Sequence, residues 1–183
     1  VVLVDGFNLY HALDELDLDP ATHKYRNRKQ YLKWIDLTRL ARAFIQPSKE
    51  TLVRVYYFSA FATWLPKPYE RHRAYVKALE ATGVNVVLGQ FKNKHRACNQ
   101  CGATWIAHEE KESDVNFAIH LVELAWRNAF DKALLVTADT DLVPAINLVK
   151  KQFRDKQLVA AIPEGRYRSA LEVRSVCHAA MRI

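Results

Sequence analysis

The stretch Val1-Val2-Leu3-Val4-Asp5-Gly6-Phe7-Asn8-Leu9 decides how the rest of the chain is read. Val1 to Val4 are apolar without alternation, so the strand they predict is buried on both faces, the habit of a parallel sheet. From Asn8 the period changes. Leu9, Ala12, Leu13 and Leu16 fall at helical spacing and predict a helix over 8–16. A short strand running straight into an amphipathic helix is the opening of a βαβ unit, and Asp5 stands at the turn between the two.

Working outward, the same rhythm recurs. Residues 17–33 are polar and basic, with Pro20 early, and read as a loop. Asp36 can cap a helix that carries Leu37, Leu40, Ala41 and Phe44 inward and ends before Pro47. Thr51 to Ala60 is rich in β-branched and aromatic residues, as in a buried strand. A helix over 66–82 is stopped by Gly83, and a strand follows over 84–88. Residues 91–108 break the rhythm and hold a Cys-x-x-Cys pair. Ser113 then caps a long helix with Val115, Ala118, Ile119, Val122 and Ala125 on its apolar side. Strands over 132–138 and 158–162 flank a helix over 142–153, and the tail from Ser169 gives a short helix and a last strand. The expected fold is α/β: a doubly wound, mostly parallel sheet with helices on both faces, forming one domain over 1–183 with a small Cys-containing ribbon inserted at 91–108.

Composition agrees with that class. The 183 residues are half hydrophobic and 26% charged, which excludes a wholly disordered chain. With 5 Gly and 6 Pro there is no collagen-like or low-complexity character. No stretch approaches the roughly 20 apolar residues that cross a bilayer, and Val1 to Val4 is too short for a signal-peptide core. The first residue is Val rather than Met, so a few residues are expected to precede it. Three cysteines cannot all pair, which favours a reducing compartment, the cytoplasm. With 27 Lys+Arg against 20 Asp+Glu the formal charge is +7, a hint of a polyanionic partner.

The acids are not scattered. Asp5 closes the first strand; Asp139 and Asp141 follow the strand that ends near Ala138; Asp114 sits in the first turn of a helix. In a parallel sheet the strand-end acids share one edge, the edge where ligands bind. An Asp after a strand is often only a helix cap, and Asp141 can cap the helix from Leu142. Several carboxylates gathered at one point need a cation, and hard oxygen donors select Mg²⁺ or Mn²⁺ over Zn²⁺. On a basic chain this is the electrostatic pattern of a metal-dependent phosphodiesterase.

Three segments carry a family resemblance: Val-Asp-Gly-Phe-Asn-Leu at 4–9, Glu-Lys-Glu-Ser-Asp-Val-Asn at 110–116, and Leu-Val-Thr-Ala-Asp-Thr-Asp-Leu-Val-Pro at 135–144. In order and spacing the chain resembles the NYN domain family, a branch of the PIN-like nucleases, and within it the bacterial group of small single-domain proteins. The family pattern usually has Gly where this chain has Glu112 and often Val where it has Ser113. It usually reads Ser-Gly-Asp-Ser-Asp-Phe where this chain has Thr137-Ala138-Asp139-Thr140-Asp141-Leu142. These changes spare the carboxylates. The resemblance implies divalent-metal-dependent cleavage of RNA, with Asp5, Asp114 and Asp139 as metal ligands, Asp141 a fourth acid beside them, and Asn8 next to the site. The expected chemistry is hydrolysis of a phosphodiester by metal-activated water, with Mg²⁺ or Mn²⁺ as cofactor.

Two further patterns bear on partners. Cys98 and Cys101, followed by Gly102, have the shape of a zinc knuckle, and His95 and His108 could complete a four-ligand site for a structural Zn²⁺. The alternatives are a reduced thiol pair or a site completed by a partner chain. Basic and aromatic residues interleave over 24–34, where Lys24, Arg26, Arg28, Lys29, Lys33 and Trp34 are candidate nucleic-acid contacts, and again over 64–73. Lys92, Lys94 and Arg96 add charge in the insert, and Lys111 could meet a phosphate or screen the acids. The expected partner is RNA, with DNA and a second copy of the chain left open, and no membrane. Two competing readings are a nucleic-acid-binding module without catalysis and a phosphatase using Asp139 as covalent nucleophile. The latter chemistry would want its acid pair after the first strand, where this chain has Asp5-x-x-Asn8.

Overall fold

Val2–Asp5 (β1) is buried along its whole length, as an unbroken apolar run requires. The structure, a computed structural model of the chain, describes residues 1–19, 22, 24 and 29–183. After β1 come Gly6–Glu15 (α1), a 3₁₀ turn at Gln30–Trp34, Leu37–Ala43 (α2), Val55–Ser59 (β2), Pro66–Ala81 (α3) and Asn85–Leu88 (β3). Gln90–Ala97 (β4) and Thr104–Lys111 (β5) form an antiparallel ribbon. Ser113–Trp126 (α4), Lys132–Val136 (β6), a 3₁₀ turn at Thr140–Leu142, Val143–Gln152 (α5), Gln157–Ile162 (β7), Leu171–Val176 (α6) and Ala179–Arg182 (β8) complete the order.

The six-stranded sheet runs β3-β2-β1-β6-β7-β8, and every neighbouring pair is parallel. The chain winds outward from β1 to β3, crosses back, and lays β6 to β8 on the other side. The order therefore reverses between β1 and β6, and at such a point the flanking loops part to leave a crevice. Period-2 alternation splits the core in two. Val2 and Val4 pack with Leu9, Leu37, Val76 and Leu79 of α1, α2 and α3. Leu3 faces the opposite way, with Phe117, Leu121, Ile146 and Val173 of α4, α5 and α6.

Three local expectations are corrected. The second strand begins at Val55, not Thr51, where its pairing with β1 starts at Val2. Helix α4 buries Phe117, Leu121 and Ala125 and leaves Val115 and Ile119 exposed, while Ala118 and Val122 pack partly. This helix is apolar on two stripes, and the one with the larger side chains takes the core. Ser113 is its first helical residue rather than its cap.

The ribbon is anchored by its aromatic face. Phe91 meets Phe7 edge-on at 5.6 Å and Trp64 at 4.6 Å, and Trp64 stacks on His108 at 3.8 Å with 8° between planes. Alternation puts Lys92, Lys94 and Arg96 on the other face, where Glu109 pairs with Lys94, Arg96 and Lys111.

Candidate metal centre

Asp5 ends β1 and caps α1. One carboxylate oxygen accepts the Asn8 N–H at 2.9 Å and the other accepts the Thr137 hydroxyl at 2.9 Å. Cap and candidate ligand are thus the same group. The tight turn needs Gly6, since a Cβ there would stand 2.6 Å from both the Phe58 carbonyl and the Tyr57 ring.

Asp139 reaches the same spot from β6. Its carboxylate accepts the Asp141 N–H at 2.9 Å, capping the Thr140–Leu142 turn, and its own N–H donates to the Thr137 hydroxyl at 3.0 Å. The Asn8 side-chain carbonyl accepts the Ala138 N–H at 3.1 Å. Asn8 therefore ties α1 to the loop after β6 across the crevice, and it holds Asp5 through its backbone rather than its amide.

Asp114 enters from the first turn of α4. The residue before that helix, Glu112, takes a left-handed backbone with φ 81°. Only glycine adopts that region without strain, so the Gly of the family pattern has a geometric reason here. Glu110 accepts the Ser113 N–H at 3.1 Å and so joins the ribbon to the start of α4.

Asp5, Asp114 and Asp139 each offer an oxygen to one point, these atoms lying within 4.8 Å of one another. Burial pushes the Asp5 carboxyl up to about 7, against the pull of the Asn8 N–H and the Thr137 hydroxyl, with Asp114 and Asp139 pushing further. Burial, then Asp139, Glu110 and Asp141, raise Asp114 to about 6. Without a cation, Asp5 and Asp114 would be held beside each other near neutral pH only by taking up protons. A divalent ion at their meeting point would remove both repulsion and desolvation cost. The all-oxygen donor set fits Mg²⁺ or Mn²⁺, and each acid sits at the start of a helical segment whose dipole favours negative charge.

The other candidates fall differently. Asp141 is exposed and stands outside the converging three, though close enough to raise Asp114. Among the described residues the zinc tetrad is not assembled: His95, Cys98, Cys101 and His108 do not gather, and the Asp triad is the one group that does. Cys98 lies at the ribbon tip, opposite Ala103, and five residues of extended strand carry His108 roughly 17 Å further down. There it stacks on Trp64. Lys33 pairs with Asp14 and lies over the Tyr10 ring, 4.3 Å from its centre. Trp34 is 51% exposed, Lys24 and Lys29 are at the surface, and Lys111 pairs with Glu109 on the outer ribbon face. Arg26 and Arg28 lie outside the described residues. Sequence reasoning missed Thr137, fully buried and bonded to both Asp5 and Asp139. Its signal was a hydroxyl residue where the family pattern has Ser.

Comparison with known proteins agrees with this architecture. The NYN domain family model matches residues 1–181. The crystal structure of a protein of unknown function from Vibrio parahaemolyticus superposes with a TM-score of 0.62 at 19% identity, covering 100% of this chain and 90% of that one. At that identity it shows a shared fold alone. No curated protein matches the chain.

Proposed function

We propose, from the premise that this chain belongs to the NYN domain family, that it is a divalent-metal-dependent endoribonuclease. The family is a branch of the PIN-like nucleases, and the match runs over essentially the whole chain. The observation that carries the proposal is the convergence of Asp5, Asp114 and Asp139 at the sheet's switch point in a chain of net charge +7.

In this reading the three aspartates hold Mg²⁺ or Mn²⁺. When bound, the ion supplies Lewis acidity to a phosphate oxygen and lowers the pKa of the attacking water. Asp141, exposed at the rim, accepts the proton that the water gives up. Asn8 fixes α1 against the loop bearing Asp139, so two carboxylates keep their spacing while substrate enters. Lys24, Lys29 and the outer ribbon face, with Lys92, Lys94, Arg96 and Lys111, attract the RNA backbone. No helix among the described residues is long and apolar enough to cross a membrane, and the proposed place of action is the cytoplasm.

The test is cleavage of end-labelled RNA and DNA with Mg²⁺ or Mn²⁺. Internal cuts in RNA, lost with chelator and in both Asp114→Asn and Asp139→Asn, are expected. Binding without turnover under either metal would leave a non-catalytic nucleic-acid-binding module instead.

A further inference from the structure

A cleft of about 780 Å³ opens beside the carboxylates. Its rim begins at Gly6 and Phe7, the residues that follow Asp5. It runs along the carboxyl end of β2, past Tyr57 and Ser59, to a wall formed by α3. Its volume is that of a ligand site rather than a packing defect.

The lining is aromatic and comes from distant parts of the chain. Tyr10 of α1 is 43% exposed and Trp34 of the 3₁₀ turn 51%, so two large rings present open area inside a concave surface. They are braced from behind. Trp34 meets Tyr75 edge-on at 5.9 Å, Tyr75 meets Tyr57 likewise at 5.9 Å, and the Tyr75 hydroxyl donates to the Ile35 carbonyl at 2.8 Å. Lys33, fixed by Asp14, holds the Tyr10 hydroxyl at 3.1 Å. Rings fixed in this way lose little freedom when a flat ligand stacks on them.

The polar lining mixes hydroxyls with the Gln30 amide, two histidines and two cations, Lys33 and Arg71. No carboxylate is among the described lining residues, while Arg71 stands at the wall, and no ion pair is formed by it among those residues. On the floor, buried Ser59 lies 3.3 Å from His72 Nε2. Burial lowers the His72 pKa, so the ring stays neutral with Nε2 engaged by the Ser59 hydroxyl.

We infer that this cleft is a subsite for an unpaired nucleobase, stacked on the fixed rings, of a single-stranded substrate whose adjoining phosphate reaches the carboxylates. The inference deepens the nuclease reading and rests on it. The concave shape of the cleft admits a base from a single strand or a loop and not one held in a duplex. Recognition by stacking tolerates all four bases, so the cleft selects strandedness rather than sequence.

The test separates binding from turnover. Anisotropy of a labelled RNA 10-mer is measured in chelator and low salt, single-stranded and as a duplex, with wild type and Trp34→Ala. A second series on wild type places one abasic residue at each position in turn, and needs no protein variant. Expected are tighter binding of the single strand and a loss of about 5- to 150-fold confined to one or two abasic positions. A similar loss in Trp34→Ala for the single strand but not the duplex is also expected. A flat abasic profile, or equal affinity for both forms, would overturn the subsite even if Mg²⁺-dependent cleavage is found and disappears in Asp114→Asn. A position-dependent profile with no turnover under any metal would leave the subsite standing and sink the nuclease reading alone.

Discussion

The Thr137 hydroxyl donates to Asp5 at 2.9 Å and accepts the Asp139 N–H at 3.0 Å, so one buried side chain couples two carboxylates that are far apart in sequence. A single hydroxyl thereby sets the rotamer of one acid and the backbone of the other. Groups of this kind behind a metal ligand are worth about 10- to 100-fold in metal affinity. Thr137→Val keeps the volume and removes both bonds. It is expected to weaken Mn²⁺ binding by that order, measured by calorimetric titration, while Thr137→Ser keeps most of the affinity. Equal affinities in Thr137→Val and wild type would refute the coupling.

The raised carboxyls make stability depend on pH in a stated direction. Asp5 at about 7 and Asp114 at about 6 lie above the ordinary value of 3.8. The metal-free fold therefore binds these protons more tightly than the unfolded chain does. Their contribution is complete below about 3.8 and is lost as pH rises through 6 and then 7. In chelator, the melting midpoint of wild type relative to Asp5→Asn should fall between pH 5 and pH 8. Saturating Mn²⁺ should reverse the trend, since the ion competes with the protons. Parallel curves for the two proteins across this range would show that Asp5 is not carrying the effect.

Much of this was legible because it is local. The apolar run of β1, the Asp36 cap, which accepts from Thr38 and Arg39, and the strand-end acids each follow from a few neighbouring residues. What was not legible depends on distance in space. The core face of α4 was misread because Val115 and Ile119 keep helical spacing as well as Phe117 and Leu121 do, and only the sheet chooses between them. Thr137 reads as an ordinary strand residue until Asp5 is brought beside it. The cleft draws rings from Phe7 to Phe91, which no window along the sequence contains. The four candidate zinc ligands stay apart for the same reason: Cys-x-x-Cys is a local pattern, and an extended strand carries His108 away from it.

That geometry has a measurable consequence for the ribbon. It is held against the body by the Phe91–Trp64–His108 stack. A zinc-selective chelator should leave the melting midpoint of the isolated chain unchanged, and so should Cys98→Ser combined with Cys101→Ser. Trp64→Ala should lower it, with a loss of unfolding free energy below the roughly 3–5 kcal/mol of a fully buried ring, since Trp64 is half-buried. Stoichiometric zinc that co-purifies and vanishes in the double Cys variant would require ligands from a second chain.

Glu112 offers the sharpest test of how the site is built. Its φ of 81° is left-handed, and its side chain is held by Gln90. A non-glycine residue in that region stores on the order of 1 kcal/mol or more. Glu112→Gly removes the strain, and although it also loses the exposed Gln90 contact and adds chain entropy to the unfolded state, the strain is the larger quantity. Glu112→Ala loses the same contact and keeps the strain. The glycine variant should therefore be more stable than the alanine variant by about 1 kcal/mol in urea titration. Because Asp114 lies two residues on, its placement follows the same turn, so metal affinity should be preserved in Glu112→Gly. If alanine proved as stable as glycine, the left-handed turn before α4 would not be the feature that sets Asp114 against Asp5 and Asp139.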